Sequence, residues 1–299
     1  MPAASSAAPR VISALRDIAD GYDAALVDIW GVIHDGRTAF APAIDACRRF
    51  RAARGPVVLL SNSPRPSSEI PAQLAWIGAP TDFFDAVVTS GDATRAALAA
   101  RAPGPAFKFG PAKDERLYDG LGLAFAGLEE AAFISCTGPL DDDRDTPDDY
   151  ADVLERARAR DLEMVCANPD IVVQRGDQII YCAGALAQRY AQLGGRVHMC
   201  GKPHAPIYDL AFGRVLQARG DGEDRSPAPI PPARILAIGD GPDTDLAGAQ
   251  AQGLASLFIA RGIHGGELAE TGALDAQRVA ALLAAKERRA DYAALELAW

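Results

Sequence analysis

The sequence predicts an α/β fold built on a parallel sheet, and two features of it carry that prediction. Short apolar runs of strand length recur along the 299 residues, such as AALVDIW at 24–30 and PVVLL at 56–60. Strands covered on both faces of a parallel sheet read as runs of this kind. Helix-like stretches separate the runs, as the crossovers of a parallel sheet require.

Taken in order, Val11–Ile18 carries apolar residues at helical spacing. Ala24–Trp30 is the first strand, interrupted by one carboxylate, Asp28. A helix follows over about 44–53, then a strand at Pro56–Leu60 that ends at Ser61 and Asn62. A further helix spans about 68–77, and Asp85–Thr89 is again a strand. The middle section repeats the alternation, with strands at Ala132–Cys136 and Glu163–Cys166. Thr146-Pro147-Asp148-Asp149 reads as a helix start: Thr caps, Pro suits the first helical position, and the acids favour the positive helix end. Arg175-Gly176-Asp177 reads as a hairpin turn within 172–181. Beyond it come a strand at Val197–Cys200, a helix over about 206–217, strands at Ile235–Ile238 and Ser256–Ala260, and a helical tail. Gly220–Pro232 is too rich in proline for a helix and reads as an exposed loop.

Composition narrows the function. A hydrophobic fraction of 49% and a charged fraction of 23% are those of a globular protein. The net charge of −10 repels phosphate backbones and anionic lipids at long range, which argues against nucleic acid and membrane partners. A small anionic substrate is still compatible, because one pocket can be positive on a negative protein. The five cysteines, Cys47, Cys136, Cys166, Cys182 and Cys200, are scattered and form no Cys-x-x-Cys. That speaks against a disulfide framework or a zinc site and for a reducing cytoplasm. Residues 1–10 lack a basic segment followed by an apolar one, so they do not read as a secretory signal.

Three apolar strands end in reactive polar residues: Asp28, Ser61 and Asp240. Ligands of open parallel sheets bind beyond the carboxyl ends of strands, so these ends can converge on one site. Neighbouring carboxylates call for a hard cation, and Mg²⁺ suits oxygen ligands and a bridging phosphate. Lys202, in the segment CGKPH, is available to neutralise charge developing on a phosphoryl group.

With these residues in order, the chain resembles the haloacid dehalogenase superfamily, in particular its class IIA capped phosphatases. The resemblance rests on Asp28-Ile29-Trp30-Gly31-Val32, Leu60-Ser61-Asn62-Ser63, Gly201-Lys202-Pro203 and Gly239-Asp240-Gly241-Pro242-Asp243-Thr244-Asp245. Asn168-Pro169-Asp170 resembles a tripeptide of class IIA caps. The resemblance implies a Rossmann-like core from residues 1–89 and 197–299, with an inserted α/β cap over 90–196. It implies that Asp28 attacks phosphorus, that Ser61 binds the transferring phosphoryl group, and that Lys202 stabilises its charge. Mg²⁺ would be held by Asp28, Asp240 and the backbone carbonyl of Trp30, with Asp245 supporting them. Asn62, Trp30 and Asn168 are substrate-side candidates. A homodimer formed through the cap fits the same resemblance.

One position departs from the pattern. Phosphatases of the family carry a second Asp two residues after the nucleophile, which protonates the leaving group and later activates water. Here that residue is Trp30, in a subgroup with a D-x-W-G-V first motif. An indole N–H exchanges no proton at neutral pH, and loss of such a group costs about 10²- to 10⁴-fold in rate. Four readings stay open. Another group, such as His34 or Asp35, supplies the proton; or the substrate has a good leaving group; or the protein binds phosphorylated ligands, or passes the phosphoryl group to an acceptor other than water. The acidic run at 141–152 has alternating Asp residues, but Thr146 and Pro147 replace the residues a calcium loop needs at its sharp turn, so it reads as a solvated loop capping a helix.

Overall fold

A computed structural model describes residues 8–175, 178–220, 228–261, 268 and 274–299. Its strands are β1 (Arg10–Val11), β2 (Ala24–Val27), β3 (Val57–Ser61), β4 (Ala86–Thr89), β5 (Ala106–Phe109), β6 (Phe133–Cys136), β7 (Glu163–Cys166), β8 (Val172–Arg175), β9 (Gln178–Tyr181), β10 (Arg196–Met199), β11 (Ile235–Gly239), β12 (Ala255–Ile259) and β13 (Tyr292–Ala294). The chain divides into two compact units, 1–61 with 71–88 and 208–299, and 62–70 with 89–207.

The first unit is built on a seven-stranded sheet in the order β1-β13-β12-β11-β2-β3-β4. β2 pairs in parallel with both β3 and β11, at the centre of the sheet. Every residue of β2, β3 and β11 is buried, which is why these strands read as unbroken apolar runs. The predicted α/β class and parallel sheet are present. Two expected elements differ. Val11–Ile18 is not a helix: Arg10 and Val11 pair with β13, and Ile12, Leu15 and Ile18 are buried by two short 3₁₀ turns, Leu15–Asp17 and Ala19–Gly21. The Leu15 N–H bonds the carbonyl of Ala298 instead of its own segment, so tertiary pairing overrides the local helical spacing. The tail is likewise only partly helical. After the helix Ala276–Ala285, β13 slots between β1 and β12.

The second unit holds a four-stranded parallel sheet, β10-β7-β6-β5. The helices Ala151–Ala159 and Ala183–Gln192 cover it, burying Ile134, Leu154, Met164, Leu186 and Tyr190 together. Thr146 precedes the turn Pro147–Tyr150, and the Asp149 carboxylate reaches back to accept its N–H at 2.7 Å, completing the predicted start signal. The Asp141 and Asp145 carboxylates bond amides of their own loop, as a solvated loop would. β8 and β9 form an antiparallel pair, while the turn expected at Gly176-Asp177 lies outside the described residues, as does most of the loop expected at 220–232. The insert expected over 90–196 falls inside this unit. The unit also takes in residues 62–70, Thr89 and 197–207, because β10 pairs with β7 and carries the following segment with it.

Among the described residues no helix is long and apolar enough to cross a membrane. All five cysteines are free and buried. Burial pushes the thiols of Cys47 and Cys136 up to about 12, far from the thiolate form that reacts. A thiol reagent such as dithionitrobenzoate should therefore find almost none of the five within minutes in native buffer at pH 8, and all five in guanidinium. Rapid native titration of two or more would contradict this packing.

Candidate active site

β2 and β11 pair with Val27 opposite Ile238, and the ladder continues one step: the Asp28 N–H donates to the Ile238 carbonyl at 2.8 Å. This register sets Asp28 beside the turn that leaves β11. Asp240 opens that turn and Asp245 lies in it. The turn at Pro242–Leu246 is wider than an α-helical one, since the Leu246 N–H reaches back five residues to the Gly241 carbonyl at 3.1 Å. Asp245 closes it by accepting the Gly241 N–H at 3.0 Å.

The result is a trio of buried carboxylates, Asp28, Asp240 and Asp245, with oxygens all within 4.8 Å of one another. Burying each charge costs several kcal/mol, in round terms, and like charges this close add to it. A hard divalent cation offsets both penalties, and an all-oxygen donor set suits Mg²⁺. Asp243, in the same motif, points elsewhere and pairs with Lys286 at 2.6 Å on the surface.

The loop after Asp28 is shaped by close approach. Gly31 has φ +79°, and a Cβ placed there would lie 2.1 Å from Oδ2 of Asp240. Any side chain would be strained and would strike the carboxylate. The Gly31 N–H donates to the His34 carbonyl at 2.8 Å, and the Ile33 N–H to that of Ile29 at 2.8 Å. His34 is buried, and its Nδ1 accepts the Gly36 N–H at 2.9 Å. The half-buried Trp30 packs edge-on against the His34 ring, with centroids 5.2 Å apart. Burial lowers the pKa of His34, with Asp35 only partly opposing it. His34 thus braces the loop, and its burial favours the neutral form. At Asp35 burial raises the pKa, but hydrogen bonds from the backbone of Thr38 and Arg37 outweigh it and leave the carboxylate ionised.

Ser61 is buried at the last position of β3. In the second unit the structure brings Asn62, Asn168 and Lys202 together. The Asn62 amide accepts the Lys202 N–H at 2.7 Å and donates to the Lys202 carbonyl at 3.2 Å. It also donates to Asp170 at 2.8 Å. The Asp170 N–H in turn donates to the Asn168 side chain at 3.0 Å. Asn62 therefore holds the lysine backbone. In the sequence Asp170 stands two residues after Asn168, in the same tripeptide. Its bond to Asn62 crosses 108 residues of chain, a separation at which one sequence gives no signal.

Lys202 itself is 3% exposed. His204 is exposed just ahead of the helix Ala205–Arg219. At the amino ends of β2, β3 and β4, opposite the carboxylate trio, a cleft of about 560 Å³ is lined by Asp23, Arg48, Arg51, Arg54, Asp82 and Asp85, among others. Arg48 and Arg51 pair there with Asp82 and Asp85, each at 2.6 Å, so it is a surface ion-pair network away from the chemistry.

Comparison with known proteins agrees with this geometry. Residues 25–124 match a family of haloacid dehalogenase-like hydrolases, and residues 199–285 match a HAD-hydrolase-like family. The chain is 43% identical to a hydrolase of the haloacid dehalogenase-like family from Brucella suis, over 96% of this chain and 100% of that one, with a TM-score of 0.81. It shares the fold of a p-nitrophenyl phosphatase from Archaeoglobus fulgidus, at 18% identity, 92% and 96% coverage and a TM-score of 0.66. It also resembles a glycerol phosphate phosphatase from Mycobacterium tuberculosis, at 24% identity, 82% and 68% coverage and a TM-score of 0.58. A search of curated proteins returned no match.

The buried His34 makes a pH prediction. Its ordinary pKa is 6.5 and its native value is lower. Between the two the unfolded chain binds the proton and the native protein does not, so stability is complete above pH 6.5 and falls as pH drops through that window. The loss is at most about 1.4 kcal/mol per pH unit. His34→Gln should flatten the fall in thermal midpoint between pH 7 and 5; equal slopes in both proteins would refute the assignment.

Proposed function

The chain belongs to the haloacid dehalogenase-like hydrolases, and from that premise we propose that it is a Mg²⁺-dependent phosphatase acting on a small phosphomonoester. The observation that carries the reading is the buried trio Asp28, Asp240 and Asp245. The phosphatases that share its fold support the substrate class.

In this reading an oxygen of Asp28 attacks phosphorus while the bond from phosphorus to the ester oxygen breaks, leaving an aspartyl-phosphate. Water then attacks the same phosphorus, releasing inorganic phosphate and restoring the carboxylate. Ser61 binds the phosphoryl oxygens, and Lys202 offsets the charge that develops on them. Asp28, Asp240 and the Trp30 carbonyl would hold Mg²⁺, with Asp245 as a further carboxylate. The bound ion supplies electrostatic stabilisation of the charged phosphoryl group. Residues 90–196 serve as a cap that excludes water and selects substrate, with Asn168 and the Trp30 indole on the substrate side.

Trp30 sets the expected substrate preference. It exchanges no proton, and His34 is committed to the loop. Esters whose leaving group departs unprotonated, such as aryl or acyl phosphates, should therefore turn over best. The same observation favours one second reading: a protein that binds phosphorylated ligands with slow hydrolysis, or that transfers the phosphoryl group to an acceptor other than water.

Phosphate release from a panel of sugar, glycerol, nucleotide and aryl phosphates tests this. We expect release that needs Mg²⁺, is faster for aryl than alkyl esters, and drops by about 10³-fold or more in Asp28→Asn. Release that survives in Asp28→Asn would exclude the aspartyl nucleophile. No release from any ester would leave the second reading.

A further inference from the structure

We infer that Asp170 is a positioning residue: its carboxylate fixes the orientation of the Asn62 amide, and that amide sets the backbone of Lys202. The inference rests on the proposed role of Lys202 and names the device that places it.

The segment after β10 leaves regular structure. Its last ladder bond runs from the Cys200 N–H to the Cys166 carbonyl at 3.2 Å. Two residues later the Lys202 backbone is held by a side chain, with both its N–H and its carbonyl bonded to Asn62. A long, flexible lysine delivers its ammonium to one place only if the backbone it hangs from is fixed.

An asparagine amide can sit in two orientations that exchange its oxygen and nitrogen. The three bonds of Asn62 distinguish them. A flip would turn its oxygen toward the Asp170 carboxylate and the Lys202 carbonyl, and its N–H₂ toward the Lys202 N–H. All three contacts would become repulsive. A charged acceptor makes the stronger bond, so the Asp170 carboxylate biases the choice most. Asp170 is itself oriented by Asn168. Gly201 completes the fit: a Cβ there would lie 2.4 Å from Oδ1 of Asn62 and 2.7 Å from Cδ of Pro169, so the segment 168–170, Asn62 and the lysine backbone pack with no room for a side chain. Asp170 thereby acts through Asn62 on the backbone of Lys202.

The test combines kinetics on the fastest ester of the panel with amide hydrogen exchange of the peptide spanning 199–204. Asp170→Ala should lower kcat about 10- to 100-fold, the scale of misplacing a group by about an ångström, with KM within about threefold. Exchange in 199–204 should quicken at least about tenfold as the Lys202 N–H loses its fixed acceptor. Asp170→Asn keeps an accepting oxygen and should recover most of kcat. Asn62→Asp sets two carboxylates face to face and should be severely impaired. Adding Asp170→Asn restores a donor opposite Asp and should recover at least about tenfold of that loss. Unchanged exchange in Asp170→Ala, a raised KM with intact kcat, or no recovery in the double variant would overturn the inference. If Asp170→Ala does not fold, the double variant decides. Absence of hydrolysis in the unaltered protein would contradict the phosphatase reading alone, because the exchange measurement needs no turnover.

Discussion

Three carboxylates buried within 4.8 Å of one another form the constraint around which the first unit is organised. Like charges this close repel, and a cation among them would offset that repulsion. The sheet supplies the means of holding them. Parallel pairing of β2 with β11 fixes which residue of one strand end lies beside which residue of the other. The widened turn after β11 adds Asp245, tied to the Gly241 N–H. Gly31 lets the chain pass Asp240 where any other residue would strike it. Together these features present an all-oxygen donor set that could hold a divalent ion.

The second unit solves the converse problem of a buried cation. Lys202 is 3% exposed, and its backbone hangs from a side-chain amide that makes three bonds: its oxygen accepts the Lys202 N–H, and its N–H₂ donates to the Lys202 carbonyl and to Asp170. Buried polar groups satisfied in this way are rigid, and losing one partner leaves the others exposed to the full desolvation penalty of about 1–3 kcal/mol. The loop that carries Trp30 follows the same logic. His34 accepts the Gly36 N–H and meets the indole edge-on, so Trp30 is packed into the loop as part of its bracing.

How much of this could be read from the sequence depends on whether the physical signal is local. β2, β3 and β11 were legible because a strand buried on both faces has no polar position to spare, and the reactive residues stood out where those runs end. β1 and β13 were not, because two or three residues carry no periodicity, and their existence depends on each other across the length of the chain. The helical spacing at 11–18 reflects apolar residues of which some are buried, Ile12, Leu15 and Ile18 among them, but the backbone hydrogen bonds go to β13 and Ala298. Among site residues, Asp28, Asp240 and Asp245 were expected together and lie together. The role of Asn62 was hidden, since its partner Lys202 is 140 residues away and the bond uses the backbone, which has no residue type to read. Gly31 was visible only as part of a motif; its reason, the oxygen of Asp240, is a tertiary contact.

The central claim is that Asp28 carries the phosphoryl group. It is tested most directly by quenching turnover of a labelled phosphate ester in acid and mapping the label by peptide mass spectrometry. One phosphate is expected on the peptide containing Asp28, released by hydroxylamine as an acyl phosphate must be, and absent when Mg²⁺ is removed. A label on another residue, or hydrolysis at full rate with no labelled peptide at any time of quench, would contradict it.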